Sequence, residues 1–145
     1  MHPEANFGIT CEMRSVVNQN LAQNTMANDF IISRNIASLM MAQIAENREL
    51  KGVFEILLSS EGFEIYMKPA KYYINIQNGM KIDLFSIVDA VAEKHEIFIG
   101  YCLQDVDNKA PILNPIKREQ YNPPITVTLY DTDQFIVLAE DPQVR

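Results

Sequence analysis

The chain's 145 residues include only two histidines and two cysteines, and their spacing assembles no catalytic group. His2 sits at the terminus. His95 falls at the end of a helical pattern, where a charged imidazole complements the helix dipole. Cys11 and Cys102 lie in alternating apolar stretches with no base beside them, so they read as small core residues in a reducing compartment and not as nucleophiles or a disulfide. The chain contains no G-x-S-x-G, C-x-x-C or H-E-x-x-H. Its five glycines form neither G-x-G-x-x-G nor G-x-x-x-x-G-K-[ST], the loops whose backbone amides cradle phosphates. The chain by itself is therefore expected to bind neither NAD nor ATP, and catalysis is the weakest of the functional readings.

Carboxylates in the last third are the remaining candidates. Asp105-Val106-Asp107-Asn108 starts like a calcium loop, but its sixth position is Ala110 instead of glycine and its twelfth is Ile116 instead of a bidentate Glu, which excludes an EF-hand. Asp105 and Asp107 from one turn and Asp131 and Asp133 from another could still converge on one Ca²⁺. The competing reading makes all four ordinary solvated turn residues. No other cofactor is expected.

A formal charge of −7 with scattered lysines and arginines argues against nucleic acid as a partner, because phosphate binding draws on clustered positive charge. The longest apolar stretch, Ile36 to Ala45, is interrupted by Ser38 and Gln43 and falls well short of the ~20 residues needed to span a bilayer. The start, Met1-His2-Pro3-Glu4, carries no basic region followed by an apolar run, so the expected location is the cytoplasm, without direct membrane insertion.

The elements that would hold these side chains follow from periodicity. Phe7, Ile9, Cys11 and Met13 alternate as in a strand, Ser15 to Asn28 reads as an amide-rich helix, and Asp29 to Ser33 is a short apolar strand; this is the order of a βαβ crossover with parallel strands. Ser33 is placed to cap a helix from Arg34 to Glu46 that is apolar almost all round. Leu50, Val53, Phe54, Leu57 and Leu58 mark one stripe of a second helix ending near Ser59. Beyond Gly62, strands are predicted at Phe63–Lys68, stopped or held to an edge by Pro69, and at Tyr72–Ile76, Glu96–Leu103, Pro111–Pro115, Ile125–Leu129 and Phe135–Ala139. Asn78-Gly79 signals a turn, and Asp83 can cap a helix from Leu84 to Lys94 with Leu84, Ile87, Val88 and Val91 on one face.

Several of these segments carry a resemblance. Asp29-Phe30-Ile31-Ile32-Ser33 with Ile36-Ala37-Ser38-Leu39, Ala42-Gln43-Ile44-Ala45-Glu46-Asn47 and Val53-Phe54-Glu55-Ile56-Leu57 resembles the crossover helices of the RCK (regulator of K⁺ conductance) domain. Glu61 to Ala70, Glu96 to Tyr101, Ile112-Leu113-Asn114-Pro115 and Phe135 to Glu140 are similar to the CASTOR/POLLUX branch of ion channels. In that family a pore and the glycine-rich front of a Rossmann-like lobe precede such a segment, whereas this sequence begins at what would be the last βαβ part of the lobe. The resemblance implies a gating element: RCK domains pair through their central helices and assemble beneath a pore.

The resulting expectation is an α+β chain: a remnant βαβ of a Rossmann-like lobe over residues 1–33, crossover and dimerisation helices over 34–60, and a small α+β C-terminal lobe over 61–145. Leu39, Met40 and Ile44 left in water would forgo about 5 to 8 kcal/mol of burial, which requires a partner surface. A homodimer or larger ring supplies it, with Ile36, Leu39, Met40, Gln43, Ile44, Val53, Phe54 and Leu57 at the interface and a pore-forming channel subunit or segment as the membrane partner. The alternative function is a stand-alone ligand-binding or interaction module of an ion transporter.

Overall fold

The computed structural model describes residues 9–13, 29–59, 62–103, 110–115 and 125–140. The chain divides into two compact units, Met1–Val53 and Phe54–Arg145.

In the first unit, β1 (Thr10–Met13) and β2 (Asp29–Ile32) pair in parallel, Thr10 opposite Asp29 and Met13 opposite Ile32. Parallel pairing is what a crossover connection requires. The helix expected between them, Ser15–Asn28, lies outside the described residues, as does the start of the first predicted strand at Phe7. Helix α1 (Ser33–Glu46) follows β2 without a loop. Ser33 is its first helical residue and not its cap: the cap position is Ile32, still extended from β2, and no side chain caps the helix. The hydroxyl of Ser38 donates back to the Arg34 carbonyl at 2.8 Å. Asn47 closes α1 through its backbone N–H to the Gln43 carbonyl at 3.0 Å, and its side-chain Oδ1 accepts from the Glu49 N–H at 3.0 Å. This Asx turn leads directly into α2 (Leu50–Leu57).

The second unit is built on an antiparallel sheet of β3 (Phe63–Pro69), β5 (Ile97–Cys102), β6 (Ile112–Leu113) and β8 (Gln134–Glu140), in the order β3-β8-β5-β6. A separate antiparallel pair joins β4 (Met80–Asp83) to β7 (Thr126–Leu129). Helix α3 (Leu84–Ala92) packs its Leu84, Ile87 and Val91 stripe into a core with Val127, Leu129, Phe135, Val137 and Ala139. Phe135 is the hub: the Tyr73 and Phe98 rings each lie 5.7 Å from it, Phe98 edge-on. Asp83 caps α3 as expected, its carboxylate accepting the Ser86 N–H at 3.1 Å.

One sequence expectation fails here. Tyr72–Ile76 is not a strand: Ala70–Tyr72 forms a turn of 3₁₀ helix, and the N–H groups of both Tyr73 and Ile74 go to the Ala70 carbonyl. The strand in this region is β4, which the sequence reading left unassigned. Gly100 is required where β5 meets β6, because a Cβ there would overlap the Ile112 carbonyl oxygen. The register of β5 against β8 also shifts between Phe98 and Gly100, a bulge at Ile99.

Candidate functional site

The acidic turn between β7 and β8 holds two of the four carboxylates proposed for a cation. Asp131 is exposed, and its N–H donates to Asn78 Oδ1 at 2.9 Å, tying this turn to the Asn78-Gly79 turn that precedes β4. Asp133 is fully buried. Its Oδ2 accepts the Tyr130 N–H at 2.8 Å, its own N–H returns to the Tyr130 carbonyl at 3.1 Å, and its carbonyl accepts the Ala70 N–H at 2.9 Å. The Asp133 carboxylate is thus used inside the turn to organise backbone. Asp105 and Asp107 lie outside the described residues. Among the described residues no group of three or more His, Cys, Asp or Glu side chains is placed to hold a metal.

A second cluster was not apparent from spacing. Lys68 on β3 reaches Glu96, just before β5, with Nζ 2.8 Å from Oε1. The other Glu96 oxygen accepts the Tyr73 hydroxyl at 2.5 Å. Burial, followed by this bond to an anion, raises the Tyr73 pKa above its ordinary range. The Lys68 ammonium lies 5.2 Å from the Tyr66 ring centroid, and the Tyr66 hydroxyl donates to Glu64 at 2.9 Å. Beside this network an open cleft of about 410 Å³ is lined by Lys68, Pro69, Lys71 and Tyr72. Lys94 lies 5.0 Å from the centroid of the Tyr72 ring. Lys68 and Glu96 are 28 residues apart and meet only because β3 and β5 both flank β8.

The third feature is the surface of the two helices. No residue of α1 or α2 is buried. Of the eight residues assigned to an interface, Ile36, Leu39, Gln43 and Val53 are exposed, Leu39 by 69 %, while Met40, Ile44, Phe54 and Leu57 are half-buried. Met41, Ile56 and Leu58 are exposed as well, although none of them was among those eight. Cys11 is half-buried and Cys102 buried, both as free thiols. His95 follows α3 in a left-handed turn with φ 59°, and His2 is outside the described residues. No helix among the described residues is long and apolar enough to cross a membrane.

No profile of a known protein family matches the chain. Individual proteins do. The ion channel DMI1 of Medicago truncatula is 30% identical over 121 residues, 83% of this chain and 13% of that protein. The probable ion channel CASTOR of Oryza sativa is 27% identical over 125 residues, 84% of this chain and 13% of that protein. The probable ion channel POLLUX of Arabidopsis thaliana is 26% identical over 121 residues, 83% of this chain and 14% of that protein. This chain is a homologue of a segment of the CASTOR/POLLUX ion channels. It spans about a seventh or less of the length of the CASTOR and POLLUX relatives it matches. These relatives bear the names of channels and not of enzymes.

Proposed function

We propose that the chain is a non-catalytic regulatory module of a CASTOR/POLLUX-type channel, which couples its own assembly or a bound ligand to the gate. The homology places it among channel sequences. The observation that carries the regulatory reading is the absence of any buried residue on α1 or α2, although Ile36, Leu39, Met41, Val53 and Ile56 are large and apolar. Each such side chain gains about 1.5–3 kcal/mol on full burial, so this surface is built for contact with another protein surface. On this reading the β1–β2 pair is the remnant of a Rossmann-like lobe, residues 34–60 are the crossover helices of an RCK domain, and residues 61–145 form its C-terminal lobe. Two copies join through α1 and α2 in a homodimer on which a larger ring beneath a pore can be built. A cytoplasmic location, with membrane association through that pore, belongs to the same reading.

A chimera tests this. The matched segment of the Lotus japonicus CASTOR channel is replaced by this chain and single-channel currents are recorded in a planar bilayer. The expected result is a regulated channel whose open probability, but not unit conductance, changes with Met40→Glu. Currents indifferent to both the segment and the variant would reject a gating role.

A further inference from the structure

We propose that the cleft at the end of β3 is a binding site for a small aromatic carboxylate, a flat ring that bears a single negative charge. Its described walls are Lys68, Pro69, Lys71 and Tyr72, and its volume of about 410 Å³ suits a ligand of that size. These four residues flank Ala70, which is fully buried. The Ala70 N–H donates to the Asp133 carbonyl at 2.9 Å, and the Ala70 carbonyl accepts the Tyr73 and Ile74 N–H groups at 3.0 and 3.2 Å. The turn that carries the walls is therefore pinned to the core, and the side chains on both sides of Ala70 project from a fixed backbone. Less ordering is then left to be done when a ligand arrives.

Charge and shape together select the ligand. The carboxylate nearest the cleft, Glu96, is engaged at both oxygens, one by Lys68 and the other by Tyr73. Among the described residues neither Lys71 nor Lys94 makes an ion pair. In a chain of net charge −7, two lysines without a carboxylate beside one cleft give it a local positive field. The Lys94 ammonium lies 5.0 Å from the centroid of the Tyr72 ring, so one of these charges stands next to the aromatic wall. Tyr72 is 55 % exposed and Pro69 is exposed, and with the lysine stems they offer apolar surface on which a flat ring can lie. The described walls contain neither arginine nor glycine. They thus lack the guanidinium fork and the backbone nest that hold the several oxygens of a phosphate, and lysine point charges suit one carboxylate better than a nucleotide. A ligand here supplies the ligand arm of the regulatory reading without depending on it.

The test is a heteronuclear NMR titration of the full chain at neutral pH and low salt, with naphthalene-2-carboxylate as the probe. Saturable binding is expected with a Kd of about 1 mM or tighter, and with shifts centred on the amides of Lys68, Ala70–Tyr73 and Lys94. The neutral 2-naphthamide, which keeps the ring and loses the charge, should bind at least about fivefold more weakly, and so should octanoate, which keeps the charge and loses the ring. Lys71→Gln combined with Lys94→Gln should weaken the carboxylate by a similar factor, as should raising the salt to about 0.5 M. No saturation by about 10 mM, shifts centred elsewhere, a naphthamide that binds as well as the carboxylate, or an octanoate that binds as well as the aromatic probe would each overturn the proposal. If the double variant fails to fold, the comparison of carboxylate with amide on the unmodified chain decides. Because only binding is read, the result is separate from any outcome of the channel chimera.

Discussion

Replacing Glu96 with alanine should destabilise the chain by about 1–4 kcal/mol, and the size follows from what Glu96 touches. One oxygen receives the Lys68 ammonium at 2.8 Å and the other the Tyr73 hydroxyl. The side chain of Lys68 retains 23 % of its exposure, so on losing its partner it turns to water, and the ion pair itself contributes about 1 kcal/mol or less. Tyr73 is wedged against Phe135, 5.7 Å between ring centroids, and cannot turn its hydroxyl away cheaply. A half-buried hydroxyl left without an acceptor costs about 1–3 kcal/mol. Glu96→Gln retains an acceptor for Tyr73 and should cost only about 1 kcal/mol. Urea unfolding of the purified chain measures both, with an unchanged m-value showing that the native state is otherwise intact. In a double-mutant cycle with Tyr73→Phe, the coupling should exceed about 0.5 kcal/mol. If the alanine variant lies within about 0.5 kcal/mol of the unmodified chain, or glutamine is as damaging as alanine, then the network does not hold β3 to β5 as described.

Three further outcomes follow. Because the pKa of Tyr73 is raised above its ordinary value of 10.0, the unfolded chain loses that proton first as pH rises. The stability it contributes is present below pH 10 and falls above it, so a thermal-melt series should show alkaline loss that Tyr73→Phe reduces. Gly100→Ala should cost about 1–3 kcal/mol by forcing β6 away from β5, read as a lower Tm together with faster amide exchange at Ile112 and Leu113. For the acidic turns, millimolar Ca²⁺ should leave the melting temperature unchanged, because Asp133 already spends its carboxylate on Tyr130; a rise abolished by Asp131→Asn would instead establish a cation site.

The sequence revealed elements wherever one residue pattern decides the structure. Alternation in Phe63–Lys68 marks β3, the unbroken apolar run Phe135–Ala139 marks β8, and the Leu84, Ile87, Val91 stripe with Asp83 before it marks α3 and its cap. It misled where tertiary contacts override propensity. The aromatic and branched residues of Tyr72–Ile76 favour a strand, but Tyr73, Ile74 and Ile76 pack on the core from a turn and loop. Strand β4 has only four residues and finds its partner β7 more than forty positions away, so no local signal announces it. The candidate sites divide in the same way. The exposed apolar side chains of the helices were legible, because an all-round apolar helix is visible in composition. The Lys68–Glu96–Tyr73 network was not, because it depends on the order β3-β8-β5, which no spacing encodes. The burial of Asp133 was also hidden: Asp131-Thr132-Asp133 reads as a polar turn, and nothing in the residues says that one carboxylate folds inward.

The most direct test of the central claim, that this is a channel module which assembles through α1 and α2, is the mass of the purified chain by light scattering at micromolar concentration, compared with that of a Met40→Glu chain. The regulatory reading predicts that the unmodified chain is a dimer or larger and that Met40→Glu lowers its mass while the circular-dichroism spectrum is preserved. A well-folded unmodified monomer, or a mass unaffected by Met40→Glu, would contradict it.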